Sequence, residues 1–214
     1  MQKKILITGT KSGLGHYLKE KIFCDSFCRS NNKNSYMRDF YDVIIHCAFN
    51  MRRFDSDEFF YEYIEDTINL TKSLTSINHK LFIFISSIDV YPTNGKEHSE
   101  KEIINPNELK GIYPTFKLAC ESIVKEKSRN YLILRPGILL GNFMRSNNLA
   151  KILSGESHKI TLSRNSSYHC VLYEDILSTI EYAIRSPLKG VYNIVRSKQV
   201  KLESLVETYN PNLK

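Results

Sequence analysis

Lys3-Lys-Ile-Leu-Ile-Thr8 is a short apolar run that ends directly in Gly9-Thr-Lys-Ser-Gly-Leu-Gly15, and helical spacing follows through about Phe23. Strand, glycine-rich turn and helix in immediate succession leave few folds open. The chain must turn tightly, lay a helix back on the strand and leave backbone N–H groups facing the gap between them. Gly9 permits the turn, Gly13 lets N–H groups approach a pyrophosphate, and Gly15 lets helix pack on strand. The helix N-terminus adds its partial positive charge for phosphate groups. The stretch therefore predicts a dinucleotide-binding turn, with Gly9, Lys11, Ser12, Gly13, Leu14 and Gly15 as candidate cofactor contacts. An ordinary glycine turn is the plainer alternative, and the strand before it and helix after it weigh against that.

Further strands and helices alternate along the rest of the chain. Asp42-Val-Ile-Ile-His-Cys-Ala48 reads as a second buried strand, Leu81–Ile85 as a third, and Tyr131–Arg135 as a fourth, broken by Pro136-Gly137. Gly190–Val195 is a further strand. Glu58–Ile77 has helical spacing, closed by His79 and Lys80, and Arg145–Leu153, Glu174–Arg185 and Leu202–Thr208 are shorter helices. This alternation predicts an α/β fold with a doubly wound, mostly parallel sheet. One domain over 1–214 is expected, with 1–140 as a dinucleotide-binding core and 141–214 as a small substrate-binding part interleaved with the last strand. Only Cys24 to Tyr41 separates the first helix from the strand at Asp42, so at most one short strand fits and the adenine side of the sheet is abbreviated. The acidic residue expected about 20 positions past the glycines, to hold the ribose hydroxyls, is not distinct. Asp25 and Asp39 are the candidates. Lys11 and Arg29 would instead meet a 2′-phosphate, which tilts the reading toward NADP over NAD.

Composition narrows the partners. The 214 residues are 42% hydrophobic and 25% charged, enough for one core, and the net charge is +7. The lysines and arginines are scattered among 23 acidic residues with no dense basic run, so an anionic small molecule accounts for the excess and nucleic acid is not expected. No apolar stretch is long enough to span a membrane and no leader pattern precedes the first strand, from which a cytoplasmic location is expected. Cys24 and Cys28 lie four apart, but no second ligand pair completes a zinc site, so no metal is expected and the five cysteines are taken as free thiols.

The chemistry lies in Gly111-Ile-Tyr-Pro-Thr-Phe-Lys-Leu-Ala-Cys-Glu121. Tyr113 and Lys117 are four apart, which on a helix puts both on one face. A phenol is a poor base at neutral pH; a nearby ammonium favours the phenolate and brings it into a useful range. Pro114 suits the first turn of such a helix. Ser86-Ser87 ends the third strand, where open α/β sheets place their ligands, so a Ser87 hydroxyl there would hold a substrate oxygen beside the Tyr113 phenol. The plainer reading is that the two serines cap the turn.

Together these pieces resemble the extended short-chain dehydrogenase/reductase family, the nucleotide-sugar epimerase, dehydratase and reductase group, from about Lys4 to Val195. Thr8-Gly9 with Gly13 and Gly15 resembles its dinucleotide turn. Asp42–Ala48 resembles the strand that passes the cofactor, Ser86-Ser-Ile-Asp-Val-Tyr91 the segment with the substrate-orienting serine, and Tyr113-x-x-x-Lys117 with Glu121 the catalytic helix. Leu134-Arg-Pro-Gly137 is similar to the strand end near the nicotinamide, and Tyr173-Glu-Asp-Ile176 to the turn before a C-terminal helix. The resemblance implies a Rossmann-like fold binding NAD or NADP, with Ser87, Tyr113 and Lys117 catalytic and Cys47, Ala48, Tyr113, Lys117 and Pro136 also at the cofactor. It implies that Ser87, Asn142, Asn148 and Arg164 meet a nucleotide-sugar substrate, though loop solvation explains the asparagines equally well. It also implies a homodimer through the helices around 58–78 and 112–127.

Departures select among the family's reactions. Dehydratases of the group carry Asp-Glu directly after the catalytic hydroxyl residue; Ile88 and Asp89 stand there, so dehydration is not expected. Tyr63 takes a position where relatives often place an Asn. The part after Arg135 is small for enclosing a sugar that must rotate, which favours a reductase of a nucleotide-linked keto sugar in cell-surface polysaccharide synthesis. A nucleotide-sugar 4-epimerase with the same residues is the alternative, and a catalytically silent NAD(P)-binding scaffold or sensor the second.

Overall fold

The computed structural model describes residues 2–27, 40–50, 57–144, 152, 163 and 165–209. In chain order its elements begin with β1 (Ile5–Thr8), α1 (Gly13–Lys21), β2 (Asp25–Phe27), β3 (Phe40–His46) and α2 (Asp57–Ile64). A π-turn (Glu65–Asn69), α3 (Leu70–Thr75), β4 (Asn78–Ile85), α4 (Ile112–Lys127) and β5 (Tyr131–Pro136) follow. The chain then forms β6 (Ile138–Leu140), β7 (Ser167–Tyr168), β8 (Cys170–Leu172), α5 (Tyr173–Arg185), β9 (Gly190–Ile194), β10 (Val200–Lys201) and α6 (Leu202–Tyr209).

Six strands make the central sheet in the order β2-β1-β3-β4-β5-β9, all parallel. The strand sequences explain why they sit there. The middle strands are apolar at successive positions, which suits strands covered on both faces. Ile5, Ile7, Ile45, Ile83 and Leu132 point to one face and pack with Leu14 and Leu18 of α1 and Ile176 and Ile180 of α5. Leu6, Ile44, Phe82, Phe84 and Ile133 point to the other and pack with Tyr63, Leu70, Leu74, Cys120 and Val124 from the helical run 57–75 and α4. Each such large side chain contributes about 1.5–3 kcal/mol by leaving water. Helices on both faces make the sheet doubly wound, as the alternation predicts.

On the adenine side the described residues hold one three-residue strand, β2, and residues 28–39 of the region expected to be abbreviated lie outside them. Asp25 opens that strand opposite Leu6, two residues short of its carboxyl end. Arg29 and Asp39 fall outside the described residues, as do Asn147, Asn148 and Arg164, and all of the expected helix Arg145–Leu153 except Ile152.

Three local expectations change. The helix expected over 58–77 is interrupted by the π-turn, where the Thr67 and Thr71 hydroxyls donate to the carbonyls of Tyr63 and Thr67 at 2.6 and 2.7 Å, a competition that loosens the helical ladder. His79 and Lys80 belong to β4 instead of closing the helix, because β3 starts early enough to pair Phe40 with Asn78 and Tyr41 with His79. After Pro136 the chain makes two small sheets, β6 with β8 and β7 with β10; Gly137 lacks the Cβ that would collide with the His169 carbonyl.

Candidate active site

The parallel strands end together, so Thr8, His46, Ile85 and Pro136 share one edge of the sheet. The chain order reverses direction between β1 and β3, and ligands of open α/β sheets bind in the crevice beyond such a switch point. There the glycine turn meets the exit of β3. Gly9 has φ 76°, and a Cβ on it would lie 2.7 Å from the Ala48 nitrogen; Gly15 has no room for one against the Gly9 carbonyl. Gly9→Ala combines left-handed strain with this overlap and is expected to lower stability by about 1–3 kcal/mol, read from denaturant midpoints. A substitution without effect would show that the turn is not held against β3.

Buried hydroxyls fasten that junction. Thr8 Oγ1 accepts the Ala48 N–H at 3.1 Å and lies 2.8 Å from His46 Nδ1, while His46 Nε2 lies 3.1 Å from Thr71 Oγ1. The Thr71 proton goes to the Thr67 carbonyl, so hydroxyl accounting assigns the proton of His46 to Nε2 and makes Nδ1 an acceptor from Thr8. Burial lowers the His46 pKa to about 3, so it is a neutral bridge from the end of β1 to α3.

Across the edge, α4 presents Tyr113, Lys117 and Glu121 at successive turns, all buried. The Lys117 ammonium, 4% exposed, donates to the Ile85 carbonyl at 2.7 Å and sits 3.9 Å from the centre of the Phe49 ring and 5.7 Å from that of Tyr113. Phe49 also meets Tyr113 edge-on, with centroids 5.4 Å apart. Ser87 is buried at the mouth of the crevice, and its Oγ accepts the Asp89 N–H at 3.1 Å, capping the short 3₁₀ turn Ile88–Val90. That uses a lone pair and leaves the hydroxyl proton to be donated elsewhere.

Burial lowers the Lys117 pKa from 10.5 to about 8. With a folded pKa below the unfolded one, the folded state binds the proton less tightly. The penalty is complete below pH 8 and disappears as pH rises from about 8 to 10.5. At about 1.4 kcal/mol per unit, less the lost Ile85 bond, Lys117→Met is expected to be about 1–2 kcal/mol more stable than the parent near pH 7. Denaturant unfolding at pH 7 and pH 10 checks this, and a gap that does not narrow with pH would refute it.

Residues 8–194 match the family model described as the NAD dependent epimerase/dehydratase family. The chain belongs to that family. No curated protein matches it. Solved structures do. A dTDP-4-dehydrorhamnose reductase from Bacillus anthracis in complex with NADP aligns with TM-score 0.83 at 18% identity, covering 100% of this chain and 82% of that one. A UDP-glucuronic acid 4-epimerase from Bacillus cereus in complex with UDP-glucuronic acid and NAD aligns at 0.78 and 18%, covering 95% and 82%. The UDP-N-acetylglucosamine 4-epimerase from the same organism aligns at 0.75 and 21%, covering 98% and 81%. At these identities the likeness speaks for the fold.

The family's NAD(P) is compatible with what the turn offers: a glycine turn packed tightly against the exit of β3, and a nine-residue helix that starts at the carboxyl edge of the sheet. One donor there is engaged in a way the sequence did not foretell. The N–H of Gly13, the glycine expected to let backbone N–H groups approach a pyrophosphate, donates to the Phe143 carbonyl at 2.8 Å. Phe143 adopts φ 69° and sets its ring edge-on to His16, with centroids 4.3 Å apart, which brings the exposed Asn142 turn beside the glycine loop. Gly9, Lys11, Ser12, Gly13, Leu14, Gly15, Cys47, Ala48, Ser87, Tyr113, Lys117 and Pro136 thus share the carboxyl edge, whereas Asn148 and Arg164 lie outside the described residues.

Sequence reasoning passed over Phe49 and the role of Arg135. An arginine in an otherwise apolar strand, matched by a glutamate at the third inward position of a helix, signals a buried ion pair. Arg135 donates to both Glu121 oxygens, at 2.9 and 2.6 Å, and Ser86 Oγ donates to Glu121 Oε1 at 2.6 Å. Arg135 also donates to the Tyr91 hydroxyl at 2.7 Å, and Tyr91 donates to Asn193 at 2.9 Å. The segment carrying Ser87 is therefore tied at Ser86 and at Tyr91 to the helix that carries Tyr113.

Proposed function

We propose that the protein is an NADP-dependent reductase of a keto group on a nucleotide-linked sugar, with Tyr113 as its acid/base. The observation that carries the reading is the buried Tyr113–Lys117 face of α4, anchored through Lys117 to the last carbonyl of β4 and opening beside Ser87 at the switch-point edge. NAD(P), when bound, supplies or takes the hydride. Ser87 donates its free proton to the substrate oxygen, and Tyr113 gives a proton to that oxygen as it gains charge, or removes it in reverse. Lys117 supplies a fixed positive charge beside the phenol, in a dry site where it acts strongly.

The division into a 1–140 core and a small 141–214 substrate part belongs to this proposal, and 4-epimerisation by the same residues is its alternative. Lys11, exposed in the glycine turn, is the described cation that a 2′-phosphate would meet. Pairing into a homodimer through the helices around 58–78 and 112–127 fits the exposed Phe60 and Tyr61. Among the described residues no helix is long and apolar enough to cross a membrane.

Calorimetric titration of the cofactor-stripped protein with NADPH, NADH, NADP⁺ and NAD⁺ tests the reading. Micromolar binding that favours the 2′-phosphate forms is expected, followed by loss of reduced-cofactor absorbance with a keto-sugar nucleotide. Interconversion of sugar epimers without net cofactor use would assign the epimerase instead. Failure to bind any of the four would remove the enzyme reading and leave a scaffold.

A further inference from the structure

We propose that Phe49 is a positioning residue for the catalytic pair: the face of its ring holds the Lys117 ammonium, charged, on the Tyr113 side of α4. The inference rests on the roles proposed above for Tyr113 and Lys117. Phe49 follows Cys47-Ala48 directly at the exit of β3, which is where the chain passes the glycine turn. It is 7% exposed, and its ring touches both members of the pair, lying 3.9 Å from Lys117 Nζ and edge-on to Tyr113 at 5.4 Å. A ring face attracts a cation most strongly when water is excluded.

The rest of the surroundings give Lys117 little else. Among the described residues its ammonium makes one hydrogen bond, to the neutral Ile85 carbonyl. Phe84, from β4, offers a second and more distant ring at 5.0 Å. The groups that face it electrostatically are Cys120 and Glu121 from α4, Cys47 from the β3 exit and Asp89 from the 3₁₀ turn, with His46 beside it from β3. Burial pushes the Cys47 thiol up to about 12 and the Cys120 thiol up to about 11, so neither is an anion at neutral pH, and His46 is neutral. Glu121 is engaged by Arg135 and Ser86. Burial works against the ammonium, and the Phe49 ring, the nearest of the three rings around it, opposes that loss of charge.

The test compares Phe49→Leu, which keeps a large apolar side chain and removes the ring face, with Phe49→Tyr, which keeps the ring. The full chain is labelled with ¹³Cε-lysine, the Lys117 signal is assigned by its absence in Lys117→Arg, and its titration is followed by NMR. Thermal melts confirm that both variants fold. The Lys117 midpoint is expected to fall by about half to one and a half pH units in Phe49→Leu and to stay at the parent value in Phe49→Tyr. In turnover the matching limb of the kcat–pH profile moves with the Leu variant and returns with Tyr. A midpoint unchanged in Phe49→Leu, or shifted equally in both variants, overturns the proposal. Because the NMR midpoint needs no substrate, it separates this outcome from failure of the reductase reading, which the cofactor titration decides on the parent protein.

Discussion

Glu121→Leu is expected to lower the free energy of unfolding by about 3–5 kcal/mol, the range seen when one partner of a buried ion pair is removed. Glu121 is 0% exposed and Arg135 is 1% exposed, so neither charge has water to fall back on. With leucine at 121, the Arg135 guanidinium loses the bonds to both carboxylate oxygens, and the Ser86 hydroxyl loses its acceptor. Lys125, 3.7 Å from the same carboxylate and partly exposed, turns to solvent at small loss. Domains of this kind are stable by about 5–15 kcal/mol, so the variant would fold marginally. The control is Glu121→Leu with Arg135→Met, which removes both charges and is expected to recover most of the deficit. Urea denaturation of the parent, both single variants and the double variant measures it. A single-variant loss below about 1 kcal/mol would mean that the pair is solvated and does not clamp the Ser86–Tyr91 segment.

The architecture was legible because its signals are local and redundant. Short apolar runs such as Ile5–Thr8 and Leu81–Ile85, bounded by turn residues, read as strands covered on both faces, and the glycines between β1 and α1 restrict the first crossover. The limits of α4 also follow from local chemistry, with Pro114 in its first turn. What escaped depends on partners remote in sequence. Asn78 to Lys80 are polar enough to end a helix, yet they extend β4 because β3 reaches back to Phe40. The π-turn arises from threonines bonding back to their own helix, a choice no periodicity reveals. The pairing of β6 with β8 joins segments about 30 residues apart, and residues such as Ile138 and Cys170 carry no mark of it.

The candidate site divides in the same way. Tyr113, Lys117 and the glycines announce themselves by spacing on one element, and Ser87 by its place at a strand end. Phe49 and Arg135 look like ordinary members of their segments until the sheet brings β3, β4 and β5 beside α4. Arg135 clamps the loop that bears Ser87, and Phe49 lies against Lys117. The Phe143 contact to Gly13 is less visible still, since a backbone carbonyl has no residue type.

Tyr113→Phe removes one oxygen and keeps the ring that Phe49 packs against at 5.4 Å, so the variant isolates the proposed proton-transfer role. A positioned general acid or base contributes about 10²–10⁴-fold, and kcat for reduction of a keto-sugar nucleotide is expected to fall by that factor. Cofactor affinity should change by less than about tenfold, the worth of one hydrogen bond, and stability by about 1 kcal/mol or less. The loss belongs in kcat because the proton moves only as charge develops on the substrate oxygen, an interaction stronger in the transition state than in the bound ground state. Steady-state rates from reduced-cofactor absorbance, with calorimetric cofactor affinity on the same preparations, check the split. A variant that turns over at the parent rate would remove Tyr113 from the mechanism. A loss confined to a raised KM, with kcat unchanged, would make the phenol a binding group, leaving Ser87 and the Lys117 charge to stabilise the oxygen.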